Sequence, residues 1–466
     1  MKIHQLQLSI FHPQLSIIFM AKSQSKALGT EKISKLLLQQ AVPASIGMLI
    51  MSIYGIVDTI FVGRYVGVLG IAAITVVMPI SFLISSIGMA IGVGGASIIS
   101  RAFGAENNEK TSNTFGNMIS LTLLLAIIIV SLGVILQDPI LKAFGAKGDI
   151  LEPAKTYFNI ILIGVPALAW AMMTNNAIRA EGKATVAMVT LLVPAILNII
   201  LDPIFIIVLD WGLEGAAWAT TISYFASALF TTWFLFLSKR SELPVIAKNL
   251  IIKLAIVKEI FAIGIVTIAR QGTISLLMII LNNSLFVYGG ESSIAVYGII
   301  NRMMMFALFP VIGIMQGYQP IAGYNYGAGN KQRVLDIIKL SIKSGTIIAM
   351  GIFVCILAFP SAITYIFTND AELLAETPRA MMIAFAATPL IAVQLVSSAY
   401  FQAIGKAIPA LLLTLTKQGF CLIPLILILP HFMGLDGIWW SFPIADVLSA
   451  GITYWYLQRE LKRTMY

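Results

Sequence analysis

The chain has 466 residues, of which 59% are hydrophobic and only 11% are charged, and its mean hydropathy is +0.92. An ordinary soluble domain carries about 25% charged residues, so this composition excludes a water-soluble globular protein. The apolar runs reach about 20 residues or more without the polar alternation of barrel strands. They therefore predict an all-α integral membrane protein, because helices and closed barrels are the structures that span a bilayer.

The N-terminus does not resemble a secretory signal. Residues 1–19 are interrupted by His12 and Pro13 and lack a small-residue cleavage site. We expect residues 1–26 to be an N-terminal extension, with 1–19 a mis-assigned start; a short interfacial helix is the alternative.

Hydrophobic periodicity predicts twelve membrane-spanning helices after this extension. In chain order they cover residues 36–62, 68–100, 114–137, 153–178, 186–209, 215–238, 259–287, 293–325, 334–360, 379–401, 407–430 and 438–457.

Basic residues are distributed unequally between the two sides of these helices. Of the 30 Lys and Arg residues, twenty fall in segments on the side of both termini. Four, Arg64, Lys142, Lys147 and Arg379, fall on the opposite side. Because cytoplasmic loops carry the excess of Lys and Arg, both termini are predicted to be cytoplasmic. The net charge of +9 is then explained by the basic cytoplasmic segments, which set the orientation in the membrane. It does not indicate a nucleic-acid surface, and we expect no nucleic-acid partner.

Residue types that carry most enzyme chemistry are sparse. The two cysteines, Cys355 and Cys421, lie inside apolar runs, and the histidines at 4, 12 and 431 are scattered. They indicate neither a disulfide framework nor a metal cluster. The chain has no GxxxxGK[ST] motif for binding ATP. A membrane enzyme is therefore the weakest of the functional alternatives, and we expect no cofactor apart from a coupling ion.

The two halves of the sequence resemble each other. "RAEGKA" at 179–184 aligns with "QAIGKA" at 402–407, and "GLEGAAW" at 212–218 aligns with "GLDGIWW" at 434–440. Six helices in each half return the chain to its starting side, so the repeats are predicted to be parallel, the plan of a transporter with its substrate path between two lobes.

This repeat predicts the domain organisation. We expect an N-lobe at 27–240 with helices 1–6, a cytoplasmic connector at 241–258, and a C-lobe at 259–466 with helices 7–12.

Three aspartates, Asp58, Asp202 and Asp446, fall inside predicted spans, where an ionisable residue indicates a functional site by default. Asp58 lies six residues before Arg64 at the outer helix end, about 9 Å at a rise of 1.5 Å per residue. Asp202 lies eight residues before Asp210, about 12 Å. The two carboxylates are thus predicted at similar depths in the outer half of the N-lobe.

Other polar side chains are predicted at this depth. Asn198 lies one helical turn before Asp202 on the same face, and Tyr157 and Thr220 come early in helices that descend from outside. Two carboxylates in a partly dry cavity repel each other, so the pair favours uptake of a proton or a metal cation. Na⁺ could bind at Asp58, Asn198 and Asp202. Each residue also has a purely structural alternative. Asp58 could cap a helix end, and Asp202 could accept a hydrogen bond from backbone freed by the following proline. Tyr157 could lie at the membrane interface, and the Thr220 hydroxyl could bond to its own helix.

The residues 223 positions after Asp58 and Asp202 are both leucines, so the second half lacks the equivalent acids. Asp446 could contact a cationic substrate, or it could pair with Arg270 or Arg302. Arg302 and Met304 are further candidates for a substrate cavity, with lipid or helix contact the alternative for Met304. Pro43 removes a backbone hydrogen bond within helix 1 and is a candidate hinge.

The combination of several stretches resembles the multidrug and toxic compound extrusion (MATE) transporters over about residues 27–460. The stretches that carry the resemblance are "YGIVDTIFVGRYVG" (54–67), "IRAEGKATVAM" (178–188), "NIILDPIFI" (198–206), "GLEGAAWAT" (212–220) and "GYQPIAGYNYGAGN" (317–330). The resemblance implies two six-helix lobes around a central cavity. It also implies an ion site at Asp58, Tyr157, Asn198, Asp202 and Thr220, as in bacterial members with an N-lobe carboxylate site.

The resemblance further implies a secondary active antiporter that exports organic cations or drugs in exchange for inward H⁺ or Na⁺. We expect small organic cations as substrates, lipid as the surroundings, a monomer, and a location in the bacterial plasma membrane. A flippase for a lipid-linked precursor is the alternative function. It would require a strongly cationic cavity, for which Arg270 and Arg302 are the candidates.

Overall fold

A computed structural model describes residues 25–464, so the predictions for residues 1–24 lie outside the described residues. Within 25–464 the chain is helical and contains no β-strand. Its long helices are α1 Ile33–Tyr65, α2 Val68–Gly104, α3 Asn108–Ile135, α4 Leu151–Ala180, α5 Ala184–Val208, α6 Gly212–Leu237, α7 254–289, α8 291–327, α9 Lys331–Ala358, α10 Ala371–Ala403, α11 Ala407–Met433 and α12 Leu435–Thr464. Short helices at Gln137–Ala143 and Pro360–Phe367 precede α4 and α10.

The prediction of an all-α membrane fold with twelve long helices is confirmed. Among the described residues, ten helical segments are long and apolar enough to cross a membrane, and one of them is the 74-residue segment Leu254–Gly327. This segment contains both α7 and α8, because Gly290 adopts φ +68° and breaks the helix. A glycine tolerates this left-handed backbone without steric cost. The ten segments thus account for α1 to α11. The twelfth long helix is α12, which carries Asp446 and a charged C-terminal end.

The described residues form two compact units. The first contains residues 25–36, 46–264 and 323–330. The second contains residues 37–45, 265–322 and 331–464.

In the first unit, the C-terminal ends of α2 and α8 pack backbone against backbone. A Cβ atom added at Gly104 would lie 1.9 Å from the Tyr324 carbonyl oxygen, and one at Gly327 would lie 2.1 Å from the Arg101 carbonyl oxygen. Small residues permit such close approach between membrane helices. Arg101 Nη2 also contacts Glu259 Oε1 at 3.0 Å, which joins α2 to the start of α7.

The segment between α6 and α7 is docked on α3 in this unit. Asn249 Nδ2 donates to Asn113 Oδ1 at 2.8 Å, and the Lys253 backbone N–H donates to Asn117 Oδ1 at 2.7 Å. Ser120 Oγ donates to the Leu250 carbonyl at 2.7 Å. Side chains of α3 therefore satisfy the polar groups of an irregular segment.

A buried charged cluster lies beside the turn between α4 and α5. Lys183 pairs with Glu181 and donates to the Arg240 carbonyl at 2.5 Å. Glu242 Oε1 lies 3.8 Å from Lys183 Nζ, with its side chain mostly buried. Burial raises the pKa of Glu242 above its ordinary value, because loss of hydration disfavours the charged form.

The core of the second unit is apolar and aromatic. Fully or nearly buried side chains of all six helices from α7 to α12 form one hydrophobic cluster. Tyr297 of α8 stacks on Phe442 of α12 with ring centroids 6.1 Å apart. This cluster holds the middle of α12, where Asp446 lies, against its neighbours.

Candidate functional site

Asp58 and Asp202 come together inside the first unit. Asp58 lies on α1 and is 8% exposed, whereas Asp202 lies on α5 and is fully buried. Their carboxyl groups are close enough to share a hydrogen bond. The α-helical part of α5 ends at Asp202, and a π-helical turn follows at Pro203–Val208. Because proline cannot donate a backbone hydrogen bond, it favours this local change of helix geometry.

Asn198 links Asp202 to α6. The amide orientation that satisfies both neighbours places Nδ2 2.8 Å from Asp202 Oδ2 and the amide oxygen 3.2 Å from Thr220 Oγ1. Asn198 is fully buried, and Thr220 is nearly so. Asn198 therefore donates to the carboxylate and accepts from the threonine hydroxyl.

Tyr157 completes the predicted set. It is buried on α4, and its hydroxyl lies within hydrogen-bonding reach of Thr220. It also interacts electrostatically with Asp58 and Asp202. The structure thus brings Asp58, Tyr157, Asn198, Asp202 and Thr220 into one cluster contributed by α1, α4, α5 and α6.

Two further tyrosines join this cluster, and the sequence prediction did not include them. Tyr54 lies one turn before Asp58 on α1, with its hydroxyl within reach of Thr220. Tyr224 lies one turn after Thr220 on α6 and interacts electrostatically with Asp58. Residues four apart on a helix share a face. The spacing of Tyr54 from Asp58 and of Tyr224 from Thr220 is therefore the sequence signal that could have placed both tyrosines in the cluster.

The cluster presents oxygen atoms of three kinds: carboxylate, amide and hydroxyl. Asp58 Oδ1 and Asp202 Oδ1 are both buried without a hydrogen-bond partner among the described residues. Unsatisfied buried polar atoms are costly, and oxygen ligands suit protons and hard cations. The arrangement is therefore chemically able to bind a proton or a small cation. The described part of the chain has no group of three or more His, Cys, Asp or Glu residues that could hold a metal ion.

The predicted hinge and cavity residues lie apart from one another along the chain. Pro43 is half-buried within α1, which extends as one helix over Ile33–Tyr65. Met304 is half-buried and packs against the hydrophobic core of the second unit, whereas Arg302 on the same helix is exposed.

The prediction that Asp446 pairs with Arg270 or Arg302 is wrong. Asp446 Oδ1 contacts Lys417 Nζ at 2.5 Å, and the Asp446 side chain is 4% exposed. Lys417 lies in a π-helical segment of α11, Thr416–Leu422, that packs against α12. The partner of Asp446 depends on which helices are neighbours and on how each helix is rotated about its axis. Spacing along the chain gives neither, so the sequence could not identify Lys417.

The sequence matches the MatE family twice, over residues 43–204 and 265–428. These matches begin 222 residues apart and confirm the internal repeat. The chain is 30% identical to the multidrug export protein MepA of Staphylococcus aureus over 421 residues, which cover 89% of this chain and 91% of that protein. It is 29% identical to MepA of Staphylococcus haemolyticus, with coverage of 90% and 92%.

Solved structures show the same fold. A MATE protein crystallised in complex with MaL6 has a TM-score of 0.90 and 26% identity, covering 95% of this chain and 99% of that one. A MOP superfamily transporter from Pyrococcus furiosus has a TM-score of 0.88 and 25% identity, covering 95% and 99%. The chain is thus a multi-pass membrane protein that belongs to the MatE family of transporters, and it is not an enzyme.

Proposed function

We propose that the protein is a secondary active antiporter that exports organic cations in exchange for inward H⁺ or Na⁺. The observation that carries this proposal is the pair of buried carboxylates, Asp58 and Asp202, each with an oxygen that lacks a hydrogen-bond partner. An ionisable group at membrane depth favours an ion or proton pathway. The names of the Staphylococcus relatives as multidrug export proteins support drug export.

In the proposed cycle, Asp58 and Asp202 take up H⁺ or Na⁺ when the site is open to the outside. Neutralising the pair removes its attraction for a cationic drug and allows α1 to bend near Pro43. The drug leaves outward, and reorientation releases the ion inside, where it is dilute. Each elementary charge that moves inward through 100 mV supplies about 2.3 kcal/mol.

Asn198, Thr220 and Tyr157 would hold the carboxylates in place and supply oxygen ligands. Asn198 donates to Asp202 and leaves its own oxygen toward Thr220. If Na⁺ is the ion, the oxygens of Asp58, Asn198 and Asp202 are its proposed first ligands. If H⁺ is the ion, the proton would be shared between the two carboxyl groups, which lie within hydrogen-bonding reach.

We further propose that the protein acts as a monomer in a bacterial plasma membrane, with both termini cytoplasmic. The excess of Lys and Arg in the segments on the side of the termini supports this orientation. The relatives named above are drug exporters by name and do not favour a flippase for a lipid-linked precursor.

The proposal can be tested in proteoliposomes that contain a fluorescent organic cation. Na⁺ and H⁺ gradients would be imposed separately, with protein-free liposomes as the control. We expect one of the two gradients to drive transport of the cation against the ion flow. Transport that proceeds equally without either gradient would contradict antiport.

A further inference from the structure

Residues 25–30 are helical and precede α1 in the first unit. Leu28 in this segment is 1% exposed, whereas Lys26 and Thr30 are exposed. One face of the 25–30 segment is therefore docked in the first unit, and the other face is open. The docked face contacts three other elements, all on the side of the protein that we propose to be cytoplasmic.

The first of these elements is the C-terminal end of α8. Asn325 is fully buried, and its Nδ2 donates to the Leu28 carbonyl at 2.9 Å. A Cβ atom added at Gly29 would lie 2.6 Å from Tyr324 Cε1, so the segment lies against the tyrosine ring. Residues 323–330 belong to the first unit, whereas α8 up to residue 322 belongs to the second. The 25–30 segment therefore helps to hold the end of α8 in the first unit.

The other two elements are the turn between α4 and α5 and the segment that follows α6. A Cβ atom added at Gly182 would lie 3.2 Å from Leu28 Cδ2, which places the leucine against the turn. The Ser25 backbone N–H donates to Glu242 Oε1 at 3.4 Å. The Glu242 backbone N–H in turn donates to Glu181 Oε2 at 3.1 Å. The docked segment thus connects the end of α8 to the buried charged cluster.

This cluster carries an excess of negative charge. Glu181 and Glu242 are two carboxylates that share one ammonium group, that of Lys183, and all three side chains are at most 8% exposed. The other described groups that interact electrostatically with Glu242 are Ser25 and Tyr324, and neither is a cation. Burying an unbalanced carboxylate costs free energy. Exposure of Glu242 to water would recover that free energy, so the docked arrangement is opposed by a term that undocking relieves.

Contacts that must break and re-form during a transport cycle are expected to have such opposing terms, because they keep two arrangements close in free energy. Alternating access requires contacts on the cytoplasmic side to break when the site opens to the inside. The contacts of Leu28 with Asn325 and of Gly29 with Tyr324 meet both conditions, since they fix the end of a helix whose body belongs to the other unit.

We propose that the 25–30 segment is a latch that fixes the end of α8 while the transporter is closed to the cytoplasm, and that it undocks when the site opens to the inside. The inference rests on the antiport proposed above and adds the element that controls release of the coupling ion. Undocking would break the hydrogen bond between Asn325 and Leu28 and expose Glu242 to water.

The first experiment measures when residue 28 becomes accessible. Leu28→Cys would be introduced together with Cys355→Ser and Cys421→Ala, because Cys355 is itself exposed. Inside-out vesicles would be treated with a membrane-impermeant maleimide, either at rest or during ion-driven transport of a fluorescent organic cation. Thr30→Cys is the matched control, since Thr30 is exposed on the same segment.

We expect Leu28→Cys to be protected at rest and labelled during transport, and Thr30→Cys to be labelled equally in both conditions. Protection of Leu28→Cys in both conditions would overturn the latch, because the segment would not undock. Labelling as fast as that of Thr30→Cys in both conditions would also overturn it, because the segment would not be docked at rest.

The second experiment locks the segment in place. Gly29→Cys and Tyr324→Cys would be combined in the same background, since Tyr324→Cys removes the ring that lies against Gly29. A short bis-methanethiosulfonate reagent would join the two thiols, and the single variants treated in the same way control for modification of one thiol. We expect the cross-link to stop export and dithiothreitol to restore it. Undiminished export by the cross-linked protein would overturn the latch.

Failure of the latch and failure of the antiport give different results. If the Thr30→Cys protein exports the cation under one ion gradient while the cross-linked variant exports it equally well, only the latch is wrong. If the Thr30→Cys protein and the wild type export the cation under neither a Na⁺ nor an H⁺ gradient, the antiport is contradicted and the latch falls with it.

Discussion

Asn198 and Asp202 lie one turn apart on α5, and the Asn198 amide donates to the Asp202 carboxylate at 2.8 Å. The oxygen of the same amide accepts from Thr220 on α6 at 3.2 Å. One side chain therefore orients the carboxylate of its own helix and links it to the neighbouring helix. Because Asn198 is fully buried, bulk solvent does not reach these contacts.

Replacing Asp202 with Asn should abolish ion-driven efflux while the protein still folds. The amide keeps the size of the carboxylate but can neither take up a proton nor carry the charge that attracts a cation. Efflux would be followed in vesicles under an imposed gradient. Asp210→Asn is the matched control, since Asp210 is exposed at a left-handed position that asparagine also tolerates. Wild-type efflux by Asp202→Asn would rule out this coupling site.

Replacing Thr220 with Val should weaken the apparent affinity for the coupling ion by about 3- to 10-fold. Valine keeps the shape of threonine but removes the hydroxyl that Asn198 accepts from, and a typical hydrogen bond contributes about 0.5–1.5 kcal/mol. The affinity would be read from the ion dependence of transport. Thr220→Ser should remain near wild type. Thr232→Val, whose hydroxyl bonds only within α6, serves as the control, and an equal loss in this variant would contradict a specific role for Thr220.

Replacing Lys417 with Met should destabilise the second unit by about 3–5 kcal/mol, because it strands the buried carboxylate of Asp446. The double variant Lys417→Met with Asp446→Leu should recover most of that loss, since an apolar pair replaces the ion pair. Thermal unfolding of the purified protein in detergent would give both values. If the double variant is as unstable as the single one, the contact between the two side chains does not explain the loss.

Replacing Gly104 with Ala should lower the thermal stability of the first unit. The added methyl group would meet the Tyr324 carbonyl oxygen at 1.9 Å, so α2 and α8 would have to separate. Overpacking of this kind typically costs about 1–3 kcal/mol. Gly451→Ala on α12 is the matched control, because a Cβ atom there meets nothing within 4 Å. Equal melting temperatures for the two variants would show that the close approach is tolerated.

Most of the candidate-site cluster was predictable from spacing along the chain. Asn198 and Asp202 share a face because they are four residues apart, and depth along each helix placed Asp58, Tyr157 and Thr220 at the same level. Tyr54 was not predicted, although it lies four residues before Asp58, because a tyrosine in an apolar helix can equally face lipid or a neighbouring helix. Depth is readable from sequence since each helical residue advances by a constant rise.

The sequence by itself determined the all-α membrane fold, the number of long helices, the repeat and the family. These features follow from local quantities: the length of apolar runs, the period of the helix and the similarity between the halves. Only the tertiary structure decided that Lys417 is the partner of Asp446 and that Tyr224 interacts with Asp58. Each of these depends on how a helix is rotated about its axis and which helix lies beside it. Lipid-facing and protein-facing surfaces of a membrane helix are similarly apolar, so hydrophobic patterning specifies that rotation weakly.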